Sequence, residues 1–302
     1  MQETTYAYLG PQGTFSHEAA VRVRDANVAA AAGTDGFKDE PGDTGSAMGS
    51  ADSGLIECAT ITDVFDLVDH GKATYGVVPI ENALEGSVNE TLDAFIFTSQ
   101  AQIQRELVLD IHHNLIIANG ADINDVNTVV SHPQALAQCH TWLMRNMPNA
   151  QTQATTSTGE AVRQAARDKN VAAIGTELAA KLFGAQVVKR DIEDHGGNQT
   201  CFVQIGMKPA ERTWHDKTSL ALFMKEDRPG TLLMILAEFA YAGLNLTKIQ
   251  SRPTKHALGS YLFWIDVDGH MDDPDLKTAL DSLRLKMREV KIIGSYPTGE
   301  VA

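Results

Sequence analysis

Three cysteines in 302 residues, at positions 58, 139 and 201, are too few and too scattered for a disulfide framework or a cysteine zinc site. No apolar run approaches the roughly 20 residues of a membrane-spanning helix. The first residues, MQETTYAYLG, show no basic flank and no apolar signal core, so a cytoplasmic location is expected. Basic residues are also scarce: 25 Lys and Arg stand against 39 Asp and Glu, a net charge of −14. The deficit is uneven, with 14 basic and 27 acidic residues in 1–215 but 11 and 12 in 216–302. Such a chain is not built to neutralise phosphates, so nucleic acid is not an expected partner, and an anionic ligand would need local donors. Two nucleotide fingerprints are missing as well. The glycine turn at 10–13 has no Gly-Lys-Ser/Thr behind it, and G-x-G-x-x-G is absent.

What is present is an ordinary globular composition, 43% hydrophobic and 21% charged, in a chain long enough for two or more domains. Its centre of gravity is 76–93, GVVPIENALEGSVNETLD. Residues 75–80 read as a short Val-rich strand, with Pro79 near its end. Ser87 and Glu90 form an S-x-x-E capping box, and Val88, Leu92 and Phe95 share one face of the helix that follows. Glu81 and Asn82 fall just past the strand's carboxyl end, where open α/β sheets bind ligands. A cap explains the serine but not a carboxylate beside an amide before a glycine loop.

Elsewhere strand–turn–helix units recur. Residues 5–9 form a strand, and GPQGTFSHEAA turns into a helix near His17 with Thr14 or Ser16 as its cap; such a turn offers bare N–H groups to an anion. Residues 29–54 hold six Gly, six Ala and four Asp, and read as a flexible surface insertion. Residues 55–59 and 62–70 give a strand and a helix, and 106–118 a strand pair. Residues 126–130 run into SHPQALAQC, where Ser131 and Gln134 make a capping box and Gln138 shares the face of Gln134. Ser157 and Glu160 make another box. Residues 172–176 lead into a helix stopped by Gly184. After a strand at 186–190, His195 lies in a glycine loop that reads as solvated surface, and Thr200 starts the strand 200–205. A polar connector near 207–215 marks a domain boundary. Beyond it the order is βαββαβ, a ferredoxin-like sandwich, which alone says nothing of function.

Taken together, YLGPQGTFSHEAA, VVPIENALEGSVNETLD, SHPQALAQC, AAIGTELAA and NQTCF, followed by DRPGTLLMILAEFA and IQSRP, resemble prephenate dehydratases with a C-terminal ACT regulatory domain. The likeness spans nearly the whole chain outside 29–54. It implies an α/β catalytic region of two lobes, like a periplasmic binding protein, over 1–213, plus an ACT domain over 216–302. Lobe 1 would take about 1–81 and 188–213, and lobe 2 about 82–187, with crossings near 80–83 and 187–191. The implied reaction is loss of CO2 and water from prephenate to give phenylpyruvate, with no cofactor and no metal. Its implied catalytic residues are Thr200, Asn82, Ser131 and Gln138, with Glu81, Gln134, Thr14 and Ser157 binding substrate. Feedback by phenylalanine is implied through Gly230, Thr231, Leu232 and Leu233 and through Gln250, Ser251, Arg252 and Pro253, in a homodimer or homotetramer without nucleic-acid or membrane partners.

Three positions depart from the family pattern. Cys201 stands where Thr-Arg-Phe has arginine, Ala83 where a serine follows Glu-Asn, and Gln250 where Glu-Ser-Arg-Pro has glutamate. The first bears on carboxylate recognition, since cysteine lacks the bidentate guanidinium fork. Two other readings stay open on the sequence: arogenate dehydratase, and a non-catalytic amino-acid-sensing binding protein.

Overall fold

The computed structural model describes residues 4–33, 53–226, 228–255 and 260–301. The chain opens with β1 (Tyr6–Leu9), α1 (Phe15–Ala31), β2 (Leu55–Cys58), α2 (Ile61–Asp69), β3 (Tyr75–Asn82), β4 (Gly86–Ser87), α3 (Asn89–Asp93) and β5 (Gln102–Asp110). It continues with β6 (Asn114–Ala118), β7 (Thr128–Ser131), α4 (Pro133–Gln138), α5 (His140–Asn146), β8 (Gln151–Ala154), α6 (Thr158–Ala165), β9 (Val171–Gly175), α7 (Glu177–Phe183), β10 (Ala185–Lys189) and β11 (Gln199–Gly206). The last stretch is β12 (Asp216–Phe223), α8 (Thr231–Tyr241), β13 (Leu246–Pro253), β14 (Tyr261–Asp268), α9 (Pro274–Lys286), β15 (Glu289–Pro297) and β16 (Glu300–Val301).

Three sheets result. The first runs β16-β5-β11-β3-β1-β2, with β4 hairpinned onto β3; the second runs β10-β6-β9-β7-β8; the third, fully antiparallel, runs β13-β14-β12-β15. The first two are the mixed sheets of two α/β lobes, and the third is the ferredoxin-like βαββαβ domain expected from the pattern. Central strands such as β6 and β9 are buried along their whole length, as a sheet covered on both faces requires.

The lobes divide elsewhere than expected. β5 stays in the first sheet, paired to β11, so the chain leaves that lobe after Asp110 and not near Asn82. The 106–118 strand pair is therefore two strands in different sheets, joined by a crossing at 111–113. Antiparallel pairing of β11 between β3 and β5 forces this, because both neighbours must come from one lobe. The return crossing lies at 190–198, between β10 and β11. The supposed insertion also begins late, since α1 remains helical through Ala31; residues 34–52 lie outside the described residues.

Two capping boxes are not formed. Ser87 lies in β4, and the cap of α3 is Val88 without a side-chain bond. Ser131 ends β7, and His132 caps α4 instead. Ser157 does cap α6, with Glu160 N–H donating to its Oγ at 3.0 Å.

The C-terminal sheet buries one face under its own helices, around Leu220, Leu222, Ile265 and Val267. Its other face packs on lobe 1: Phe223, Trp264, Ile293 and Tyr296 share a core with Phe65, Phe95 and Ile103. Strand alternation makes this division, odd and even positions of one strand serving two different cores.

Candidate active site

A cavity of about 290 Å3 lies between the two lobes. Thr14, Phe15 and Ser16 line it from the start of α1, Gln134 and Gln138 from α4, and Ser157 and Thr158 from the start of α6. Helix starts leave N–H groups unpaired and carry partial positive charge, so they suit an anion. No Asp, Glu, Lys or Arg is among the described residues that line the cavity. The lobes meet closely beside it. Thr176 donates to the Gly13 carbonyl at 2.9 Å, and a Cβ on Gly159 would sit 2.2 Å from the Gln12 carbonyl oxygen.

Asn82 anchors a directed chain of hydrogen bonds. The backbone N–H groups of Leu84 and Glu85 both donate to its Oδ1, each at 3.0 Å, and a backbone N–H can only donate. The Asn82 amide orientation is thereby fixed. Its Nδ2 donates to Thr200 Oγ1 at 2.8 Å and to Asn198 Oδ1 at 2.9 Å. Asn198 must then turn its Nδ2 toward Gln138 Oε1, at 3.2 Å. Two groups remain unspent among the described residues. Thr200 accepts from Asn82, so its own proton is free, and Gln138, with its oxygen engaged, has its Nε2 hydrogens left over. Thr200 and Asn198 are two residues apart and so face the same way.

Not every expected site residue reaches this cavity. Asn82, Thr200, Gln138, Gln134, Thr14 and Ser157 line it. Ser131 is fully buried behind it and donates to the Ile174 carbonyl at 2.7 Å. Glu81 turns to the opposite face of β3, where the Lys248 ammonium lies 2.5 Å from Oε2. Cys201 alternates away from Thr200 and packs under the C-terminal sheet, with Sγ 3.8 Å from Glu106 Oε1. Burial first, and the nearby Glu106 carboxylate second, push its thiol pKa up. Glu106 in turn pairs with Lys217 at 2.5 Å. Position 201 therefore belongs to the contact with the C-terminal domain, and an arginine there is not missing from the cavity.

The 250–253 motif is split by strand parity. Gln250 accepts from Ser87 at 3.0 Å, and buried Arg252 binds Asn89 at 2.5 Å and also Asp93. Ser251 and Pro253 face the other way and are exposed. Gly230 caps α8 at φ 89 with no side-chain bond; behind it Thr231 donates to the Arg228 carbonyl, and Leu232 and Leu233 are exposed.

Among the cavity residues that escaped the sequence reading are His113, His132 and Asn198. Only the two-residue spacing of Asn198 from Thr200 signalled one of them. His113 sits in a lobe crossing whose path is decided by sheet pairing. Beside it, His112 Nδ1 lies 2.9 Å from Glu193 Oε1 and 3.4 Å from Asp191 Oδ1, the group of described side chains spaced to hold a metal. The His113 N–H already donates to Glu193 at 3.0 Å, so the cluster works as a clasp between the two crossings.

A sequence model of the family described as prephenate dehydratase matches residues 44–210, and one described as ACT domain matches 218–285. A bifunctional chorismate mutase/prephenate dehydratase of Neisseria gonorrhoeae is 40% identical over 97% of this chain and 74% of its own length. A prephenate dehydratase of Mycobacterium leprae is 36% identical over 99% of this chain and 88% of its own length. The crystal structure of a prephenate dehydratase from Arthrobacter aurescens, in complex with L-Phe, superposes with a TM-score of 0.81 at 34% identity, covering 97% of this chain and 90% of that one.

Proposed function

The chain belongs to the prephenate dehydratase family and carries a C-terminal ACT domain, and on that premise we propose how its own residues divide the work. The reaction breaks the bond from ring to carboxylate, releasing CO2. The freed electron pair completes the aromatic ring as the hydroxyl leaves, and with one proton drawn in from solvent that hydroxyl becomes water. Thr200 donates its free proton in a hydrogen bond to the departing oxygen, where charge develops. Gln138 Nε2 and the starts of α1 and α6 hold the substrate's carboxylates, with Gln134, Thr14 and Ser157 around them. Neutral donors do this without the desolvation cost of a buried cation. Asn82 orients Thr200. Ser131 supports from behind by tying β7 to β9, and Glu81 links the site to the ACT domain.

The observation that carries this reading is the orientation of Asn82, which leaves the Thr200 proton and the Gln138 amide to a cavity with no Asp, Glu, Lys or Arg among the described residues that line it. The same cavity favours prephenate over arogenate, whose ammonium would find no carboxylate among the described residues that line it. Incubation with each substrate, following phenylpyruvate and phenylalanine, tests this. Equal or faster turnover of arogenate would overturn the preference.

We also read phenylalanine as the effector, bound near Gly230–Leu233 and the exposed side of β13, across an interface between two subunits of a homodimer or homotetramer. A shift of β13 would pull on Glu81 through Lys248 and on Ser87 through Gln250, and so on Asn82. Calorimetry with phenylalanine tests the binding, and Lys248→Ala should weaken inhibition more than it weakens binding. A cytoplasmic setting completes the reading, as all three cysteines are free thiols. Among the described residues no helix is long and apolar enough to cross a membrane.

A further inference from the structure

The chain of hydrogen bonds from Asn82 does not stop at Gln138. Gln138 Oε1 also lies 2.8 Å from His113 Nε2. Each link upstream is forced: backbone donors fix Asn82, Asn82 fixes Asn198, and Asn198 requires an oxygen from Gln138. An oxygen facing His113 Nε2 requires that nitrogen to carry the proton. The imidazole of His113 is almost wholly buried, and its Nδ1 has no hydrogen-bond partner among the described residues. A neutral ring with a bare Nδ1 and a protonated Nε2 is the form that this surrounding accepts. Burial is also the main influence lowering the His113 pKa, against the opposing bond to Gln138 and the Glu193 charge.

We infer that His113 and Asn198 are positioning residues for prephenate, which together hold Gln138 with its amide nitrogen, and not its carbonyl oxygen, turned to the substrate. Two donors on one acceptor are what lock the amide. With His113 gone, one bond of 3.2 Å to Asn198 remains, and Gln138 can rotate to present lone pairs to an anion. The inference rests on Gln138 holding a substrate carboxylate. It goes further in assigning substrate selection to a histidine that need not touch substrate, through a single tautomer. The same residue fastens the crossings, since its N–H donates to Glu193 and its carbonyl accepts from Ile192 N–H at 2.8 Å, but those are backbone bonds that a side-chain substitution leaves in place.

The test is a double-mutant cycle on the full chain with His113→Leu and Gln138→Ala, read as kcat and KM for prephenate. Each single variant should raise KM about 10- to 100-fold, the range for losing a hydrogen bond to a charged group, and change kcat less. The double variant should be no worse than Gln138→Ala alone. Additive losses would overturn the inference, as they would show His113 acting by another route. If Gln138→Ala leaves KM unchanged, it is the carboxylate reading of Gln138 that fails. Should His113→Leu not fold, long-range 1H–15N spectra of the unaltered protein decide instead. A proton on Nε2 at neutral pH supports the inference, and a proton on Nδ1 sinks it.

Discussion

Gly159 gives the sharpest test of how the cleft closes. It lies in the first turn of α6, on lobe 2, against the glycine turn that leads into α1 on lobe 1. An alanine there would place Cβ 2.2 Å from the Gln12 carbonyl oxygen and 3.3 Å from its carbon, where ordinary contact starts at 3.4 Å. The obstacle is backbone, so no side chain can swing aside, and the two lobes must separate by roughly 1 Å in a packed contact. Overpacking of this kind costs about 1–3 kcal/mol. Applied to closure, that is about a 5- to 150-fold loss in kcat/KM. Alanine is the better helix former by up to about 1 kcal/mol, so α6 itself does not suffer. Activity should therefore fall while thermal stability falls little. Phenylpyruvate formation and a thermal melt give the two readouts. Gly196→Ala serves as control, because a Cβ there meets nothing within 4 Å. An active Gly159→Ala enzyme would mean that the reacting complex does not use this lobe contact.

Thr200→Ala should lower kcat about 100-fold or more with little change in KM, as when a transition-state donor is removed, and Thr200→Ser should retain more; full activity in both would make it a plain strand residue. Cys201→Arg should leave KM for prephenate unimproved and lower the melting temperature, because Glu106 already has Lys217 and the extra cation is crowded under the ACT sheet; a fall in KM would refute the placement of this side chain. His112 has its pKa raised, first by its hydrogen bond to Glu193, with burial opposing and the Glu193 and Asp191 charges assisting. Its folded value lies above the unfolded one, so its stabilisation is full below about pH 6.5 and is lost as pH rises through the folded value. His112→Ala should flatten the stability profile across that window, and an unchanged slope in denaturant titrations would count against the clasp.

The sequence by itself determined most of the elements and their order, though not β4, α5, β8 or β16. Apolar periodicity marked the βαββαβ domain, Gly184 and Ser157 bounded their helices, and the motif blocks carried the family without help from geometry. Those signals are local or are ordered along the chain, and a sequence records both. It could not decide which strands share a sheet, so β5 was placed in the wrong lobe, and with it His113, whose role depends on where the crossing falls. Nor could it decide which way a side chain faces. Ser87 and Ser131 fit capping boxes by spacing, but β4 and β7 take them into strands, where they bond across the fold. Cys201 and Thr200 are neighbours in sequence, yet alternation sends one to the ACT sheet and the other to the cavity. The orientation of Gln138 was furthest from view, because it is passed through Asn82 and Asn198 by hydrogen bonds between residues 116 and 60 positions apart, and only the folded chain brings those donors and acceptors within 3.2 Å of one another.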